Sequence, residues 1–249
     1  LVWFVTPISK LVTKMVPSRT EDDEEYSLAY IGSGMMLTTE ASLLEVRKEL
    51  MEFSKRIKKM SGFIPQLLVE TENKKFKKLM KKVRKYEEIT DRIELDIANY
   101  LAKVSEGSMN QATSIQVRSM LSIASDLEII ADINYQMSKT LQRKKDDKIW
   151  FTPEQRKNLL EMFDLLKDAL EIMMKNQRGR FTHAMLEEAY IAEKKINSKR
   201  DELRKVHLKS IEQQDYQFQN GIIYKDLFSS VEKVGDHVIN ISEALGGKV

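Results

Sequence analysis

Apolar residues recur three and four positions apart along most of the chain. Leu43, Val46, Leu50, Phe53 and Ile57 define one face of a helix over 39–60, which Thr38 or Thr39 can cap. Gly62 and Pro65 punctuate the pattern. A second helix follows and continues to about Val104, with its seam on Leu79, Tyr86, Ile93 and Ile97. The third spans about 110–142 along Ile123, Leu127, Ile130, Met137 and Leu141. Thr152-Pro153-Glu154 starts a fourth strongly: a capping hydroxyl, Pro at the first helical position and acid in the first turn. That helix runs to about Gln177. A fifth covers about 183–213 and a sixth about 216–245, the last seamed by Leu227, Val231, Val234, Val238, Ile241 and Leu245.

Six helices in two sets of three suggest a duplication. Tyr86 to Asp91 can be laid over Ala192 to Asn197, and Asp126 to Asp132 over Ser230 to Asp236, at similar offsets. Three helices with one seam each bury those seams against one another. The expected architecture is all-α: two tandem three-helix bundles over 39–148 and 149–249, preceded by a linker. Residues 1–38 hold that linker, with an acidic run from Glu21 to Glu25 and Gly32-Ser33-Gly34, most simply a solvated spacer. The chain starts at Leu1-Val2-Trp3-Phe4-Val5 without Met, and this stretch is too short to cross a bilayer. With Trp3, Lys10 and Lys14 it reads as the exit end of a membrane helix, the alternative being a partly buried N-terminal arm.

Composition supports a helical protein. Of 249 residues, only 9 are Gly and 4 are Pro, and 42% hydrophobic with 32% charged residues suits long solvated helices around a core. The net charge of +3 is too balanced for a dedicated nucleic-acid binder. The absence of cysteine excludes disulfides, thiolate metal sites and cysteine nucleophiles. There is no Gly-rich phosphate loop of the P-loop or dinucleotide type.

The feature that bears on chemistry is a repeated Glu-x-x-x-Asp. It occurs as Glu87/Asp91, Glu128/Asp132 and Glu232/Asp236, and the fourth expected copy reads Glu193/Asn197. Residues four apart stack on one helix face, and two carboxylates so placed repel unless water or a hard cation intervenes. All three acidic pairs fall off the apolar seams, so they should point out of the bundles and could meet as one acidic groove. A single such pair is usually solvated surface; the recurrence strengthens a metal reading. Between Lys74 and Lys85 lie eight basic residues with Phe76 and Leu79 interleaved, a pattern suited to an anionic membrane surface or a phosphate-bearing ligand, though a solvated face is the commoner role. His237 directly follows Asp236 and could join a site there; a surface or satisfied side chain is the commoner role for such a His. No Glu stands three residues before a His, which argues against a di-iron oxidase built in a bundle core.

Asp126-Leu127-Glu128-Ile129-Ile130-Ala131-Asp132 resembles one signature of the PhoU family, and the stretch from Asp226 to Asn240 resembles the second copy more closely. The resemblance covers about 39–246 and implies two tandem three-helix bundles, no enzymatic activity, and metal bound by the acidic motif: Glu87, Asp91, Glu128, Asp132, Glu232 and Asp236, with iron, zinc or manganese as the candidate ions. Asn197 departs from the motif. The segment Pro7 to Pro17 resembles the exit from the last membrane helix of type II-related sodium/phosphate cotransporters, and Arg200 to His207 is similar to a helix of their C-terminal PhoU-like domain. That similarity implies a regulatory domain on the cytoplasmic face of the bacterial inner membrane. Its expected partners are the transmembrane domain of the same polypeptide, a second copy in a homo-oligomer and an anionic membrane surface, with no nucleic acid. The alternative is a metal-free structural or oligomerisation module.

Overall fold

The structure is a computed structural model that describes residues 28–32, 38–107, 109–179 and 182–248. The expected membrane-exit segment lies outside these residues, as does the linker apart from 28–32 and Thr38. The described residues form helices and no strand: α1 Thr39–Ser61, α2 Phe63–Val69, α3 Asn73–Val104, α4 Gln111–Asp146, α5 Pro153–Gln177, α6 His183–Glu212 and α7 Phe218–Leu245. None of them is long and apolar enough to cross a membrane.

The seams read from the sequence are the core. Phe53, Ile57, Ile97, Leu127, Ile130, Val231, Val234 and Ile241 are fully buried. Helix starts follow the local chemistry: Thr38 caps α1, Asn110 caps α4, and Thr152 with Gln155 forms a reciprocal capping box ahead of Pro153 on α5.

The second helix departs from expectation. Gly62 and Pro65 do not end the helical course; α2 begins at once and buries Phe63, Ile64, Leu67 and Leu68. The break comes later, where Glu70 and Glu72 turn extended before α3. The ammonium of Lys145, reaching over from α4, donates to the freed carbonyls of Glu70 and Thr71 at 3.4 and 3.2 Å. A proline in the first turn of a helix removes no intrahelical bond, so Pro65 is tolerated where it stands.

By contact, α1, α3 and α4 form one group and α5, α6 and α7 another, with α4 packed along α7 between them. One continuous apolar cluster runs through both groups. Residues 28–32 are docked rather than solvated: Leu28 and Ile31 pack on the core, and the buried Glu49 carboxylate accepts from the amides of Ala29 and Tyr30 at 2.9 and 2.8 Å. A buried carboxylate needs such donors, and two backbone amides supply them.

Candidate functional site

The acidic pairs do not merge into one groove; they form two. α3 and α4 run side by side, and the first groove lies between them. One carboxylate oxygen from each of Glu87, Asp91 and Asp132 lies within 4.8 Å of the others. Glu128 stands one turn before Asp132 on α4 and within electrostatic reach of Asp91, Glu94 and Glu87. These side chains are displaced from the seam, as expected: Glu87, Asp91 and Glu128 are half-buried between the two helices, and Asp132 is exposed. Burial is the first cause of the shifts of the three half-buried acids. It pushes Glu87 up from the usual carboxylate range, with Asp91 and Asp132 adding to the shift. It pushes Asp91 up too, with Asp132 as the next cause. Glu128 is raised to about 7 by burial and then by Asp132, Asp91, Glu94 and Glu87. Asp91 Oδ1 is out of reach of solvent and has no hydrogen-bond partner among the described residues. Clustered carboxylate oxygens, one of them buried and unpaired, form a donor set that suits a hard, multivalent cation.

The second groove lies between α6 and α7 and is built from the matching positions. Glu193, Asn197, Glu232 and Asp236 stand where Glu87, Asp91, Glu128 and Asp132 stand in the first. Seven residues after the leading Glu, however, α3 carries Glu94 and α6 carries Arg200. The Arg200 guanidinium donates to Glu232 from inside the groove, with the two side chains 25% and 16% exposed. The Asn197 amide donates to Glu193. Burial, then Asp236, raises Glu232, but Arg200 offsets part of that shift. Asp236 is raised by burial and then by Glu193, and Arg200 and His237 work against the rise. Glu193 and Glu232 are thus each held by a donor of the chain itself, while Asp236 has only the charge of Arg200 and His237 nearby, so this set suits a cation less well than the first.

His237 joins neither groove. Its Nδ1 meets Asp126 Oδ1 at 2.8 Å, and Asn240 donates to the same oxygen at 3.4 Å, which ties α7 to α4. Asp126, which opens the PhoU-like segment of α4, is buried. Sequence reading missed Glu94 and Arg200 as the residues that distinguish the grooves. Both could have been found by extending the repeat alignment one turn past the Glu-x-x-x-Asp.

Residues 66–141 match the family model of the PhoU domain. This stretch contains Glu87, Asp91, Glu94, Glu128 and Asp132, all five acids of the first groove. No curated protein matches the chain in sequence. Among solved structures, the chain is similar to PhoU from Pseudomonas aeruginosa, with a TM-score of 0.74 at 15% identity over 83% of this chain and 96% of that one. It is also similar to the phosphate transport system regulatory protein PhoU from Streptococcus pneumoniae, with a TM-score of 0.69 at 18% identity over 83% and 94%. Residues 66–141 therefore match a PhoU domain, within an all-helical, PhoU-like fold.

Proposed function

We propose that this chain is a regulatory, non-enzymatic domain acting in phosphate transport or phosphate homeostasis, and that the first groove takes a divalent or ferric cation. The observation that carries this reading is the convergence of Glu87, Asp91, Glu128 and Asp132 inside the segment matched as a PhoU domain. A bound cation would supply the positive charge that these facing carboxylates lack, and would hold α3 against α4. The protein's own part is to present the oxygens from two helices fixed by a common core, so that loading changes the charge and stiffness of that face without moving the fold. Oxidase-type catalysis is disfavoured because the acids sit off the core seams and no Glu-x-x-His accompanies them.

We place the domain next to a sodium/phosphate cotransporter on the strength of Pro7 to Pro17 and Arg200 to His207, which resemble that group. The bundle would then dock on the cytoplasmic mouth of the transport domain, and the loaded state of the groove would set how tightly. The second groove, where Arg200 pairs with Glu232, supports a structural role for its own half of the molecule.

Elemental analysis by plasma mass spectrometry of the purified protein tests the metal assignment. Near-stoichiometric iron, zinc or manganese, lost in a Glu87→Gln, Asp91→Asn, Asp132→Asn variant, is the expected result. A wild-type protein that stays empty after incubation with all three ions overturns it. The transport assignment is checked separately: cells lacking the region that encodes 39–249 should show altered sodium-dependent uptake of radiolabelled phosphate, and unchanged uptake would sink it.

A further inference from the structure

The charge of the chain is strongly segregated. Residues 72–85 of α3 and its approach, and 139–148 at the end of α4, carry thirteen basic and three acidic side chains, a net +10. The remainder of the chain is therefore net −7, although the whole is +3. Antiparallel packing brings the two basic stretches to one end of the first bundle: Lys145 of α4 bonds the carbonyls of Glu70 and Thr71 and lies 4.5 Å from the Phe76 ring centroid. Lys81, Arg84, Tyr135, Lys139 and Arg143 line an open groove there, with Asp146 and Asp147 closing its far end. Some of this charge is locally compensated. Arg84 pairs with Glu88 at 3.0 Å, Lys75 with Glu72 at 2.9 Å, and Arg143 lies 3.9 Å from Asp226. Lys74, Lys77 and Lys81 make no ion pair with a described residue.

Two large aromatic rings stand in solvent at the same end. Trp150 is 76% exposed in the loop that leaves α4, where Lys144 lies 5.7 Å from its ring centroid. Phe218 is 70% exposed at the start of α7, and Asn220 in the same turn donates to the Trp150 carbonyl at 2.6 Å. Ile222, also exposed, continues the Phe218 ridge one turn on, toward Asp226 and Arg143. A soluble helical protein gains nothing by holding Trp and Phe rings in water beside a dense lysine field. A lipid–water interface accommodates both, since amphipathic rings settle at headgroup level while lysines meet anionic headgroups.

We infer that this basic, aromatic-tipped end of the molecule docks on an anionic lipid surface, through Lys77, Lys81, Lys139 and Arg143 with Trp150 and Phe218 as interfacial anchors. The aromatic pair is what favours a bilayer over a soluble polyanion, which would use the charge and leave the rings wet. This docking is independent of the groove's metal content and stands if the groove proves empty. It also sets the acidic first groove directly beside the docked end, because Arg84 and Glu87 are one turn apart on α3, and Asp132 and Tyr135 one turn apart on α4.

Flotation of the full chain with phosphatidylcholine vesicles, with and without phosphatidylglycerol, tests the inference. The protein should float only with the anionic vesicles, and less so as salt is raised. A Trp3→Phe variant leaves Trp150 as the sole indole, and its emission should shift to the blue on binding. Replacing Lys77, Lys81 and Lys139 by Gln should weaken binding on the order of 100-fold, taking about 1 kcal/mol for each lysine at the surface. Circular dichroism checks that this variant keeps its helices, and the salt response and Trp150 emission of the otherwise native chain decide the matter if it does not. Absence of flotation, flotation indifferent to the substitutions, or an unshifted Trp150 overturns the inference. Release of the protein from vesicles by stoichiometric RNA or polyphosphate would also overturn it, in favour of a soluble polyanion.

Discussion

The two grooves occupy matching positions in the two halves of the molecule yet solve the same electrostatic problem differently. Between α3 and α4, five acids face one another: Glu87, Asp91, Glu94, Glu128 and Asp132. Their mutual repulsion is left to solvent, to a proton on Glu128 or to an added cation. Between α6 and α7, Asn197 replaces one acid and Arg200 replaces another, so two of the three remaining carboxylates, Glu193 and Glu232, find a donor within the chain. A guanidinium on a neighbouring turn is permanent, whereas a proton or metal ion comes and goes with conditions. The first groove is therefore the more responsive of the two to its surroundings. Close packing follows the same division. Gly235, next to Asp236, lets Ile196 approach so tightly that an added Cβ would sit 3.1 Å from Ile196 Cδ1. The matching position in α4 is Ala131.

The comparison can be broken most forcefully at Arg200. Arg200→Ala leaves Glu232, Asp236 and Glu193 half-buried and facing each other, and should cost about 2–3 kcal/mol, less than a fully buried pair because solvent still reaches the site. Urea unfolding measures it, and a loss below about 0.5 kcal/mol would show that the guanidinium is incidental. The complementary change, Arg200→Glu with Asn197→Asp, rebuilds the charge of the first groove in the second. It should add a further equivalent of metal in elemental analysis.

Cation loading comes next. Manganese at about one hundred times its Kd should stabilise the wild-type protein by roughly 2.7 kcal/mol in thermal unfolding, and Asp91→Asn should remove most of that gain. An equal shift in both proteins would place the ion elsewhere.

A smaller effect should appear without metal. In the folded protein Glu128 holds its proton up to about pH 7, while in the unfolded chain it ionises near its ordinary value of 4.5. The folded state therefore binds more protons across that window, and stability falls as pH rises through it. Glu128→Gln should be nearly neutral at about pH 4 and stabilising by about 1–2 kcal/mol at about pH 8, a range discounted for the partial exposure of the site. Chemical unfolding at both values, in chelator, reads the difference; equal effects at both would contradict the electrostatic account.

The smallest expected effect is the sharpest test of how the grooves diverged. Glu94→Arg puts a guanidinium where Arg200 stands in the other half. It should raise the stability of the metal-free protein by about 1 kcal/mol and abolish cation binding together. Gain of stability with undiminished metal content would mean that Glu94 lies outside the coordinating set.

Much of the fold was legible because helical periodicity is a local signal. The seams of α1, α4 and α7 were read residue by residue and are buried apart from the half-buried Leu245 at the end of α7, and Thr152-Pro153 starts α5 as the capping chemistry requires. The break between α2 and α3 was misplaced because it is not written in Gly or Pro. It is stabilised by Lys145, which lies more than seventy residues away in sequence. The docking of Leu28 and Ile31 was missed for the same reason, since Glu49 receives their neighbours' amides only once α1 is formed.

For the site, the sequence by itself determined which carboxylates recur at matching turns and that they lie off the core, because spacing on a helix fixes the face. The tertiary structure alone decided which pairs meet and what answers their charge. Helix neighbours are chosen by the packing of apolar seams, and that packing sets Asp132 against Asp91 in one half and Arg200 against Glu232 in the other. Carboxylates with the same spacing are left facing one another or drawn into an internal ion pair according to what the adjoining helix turn brings within a few ångströms, where the interaction is strongest and solvent screens it least.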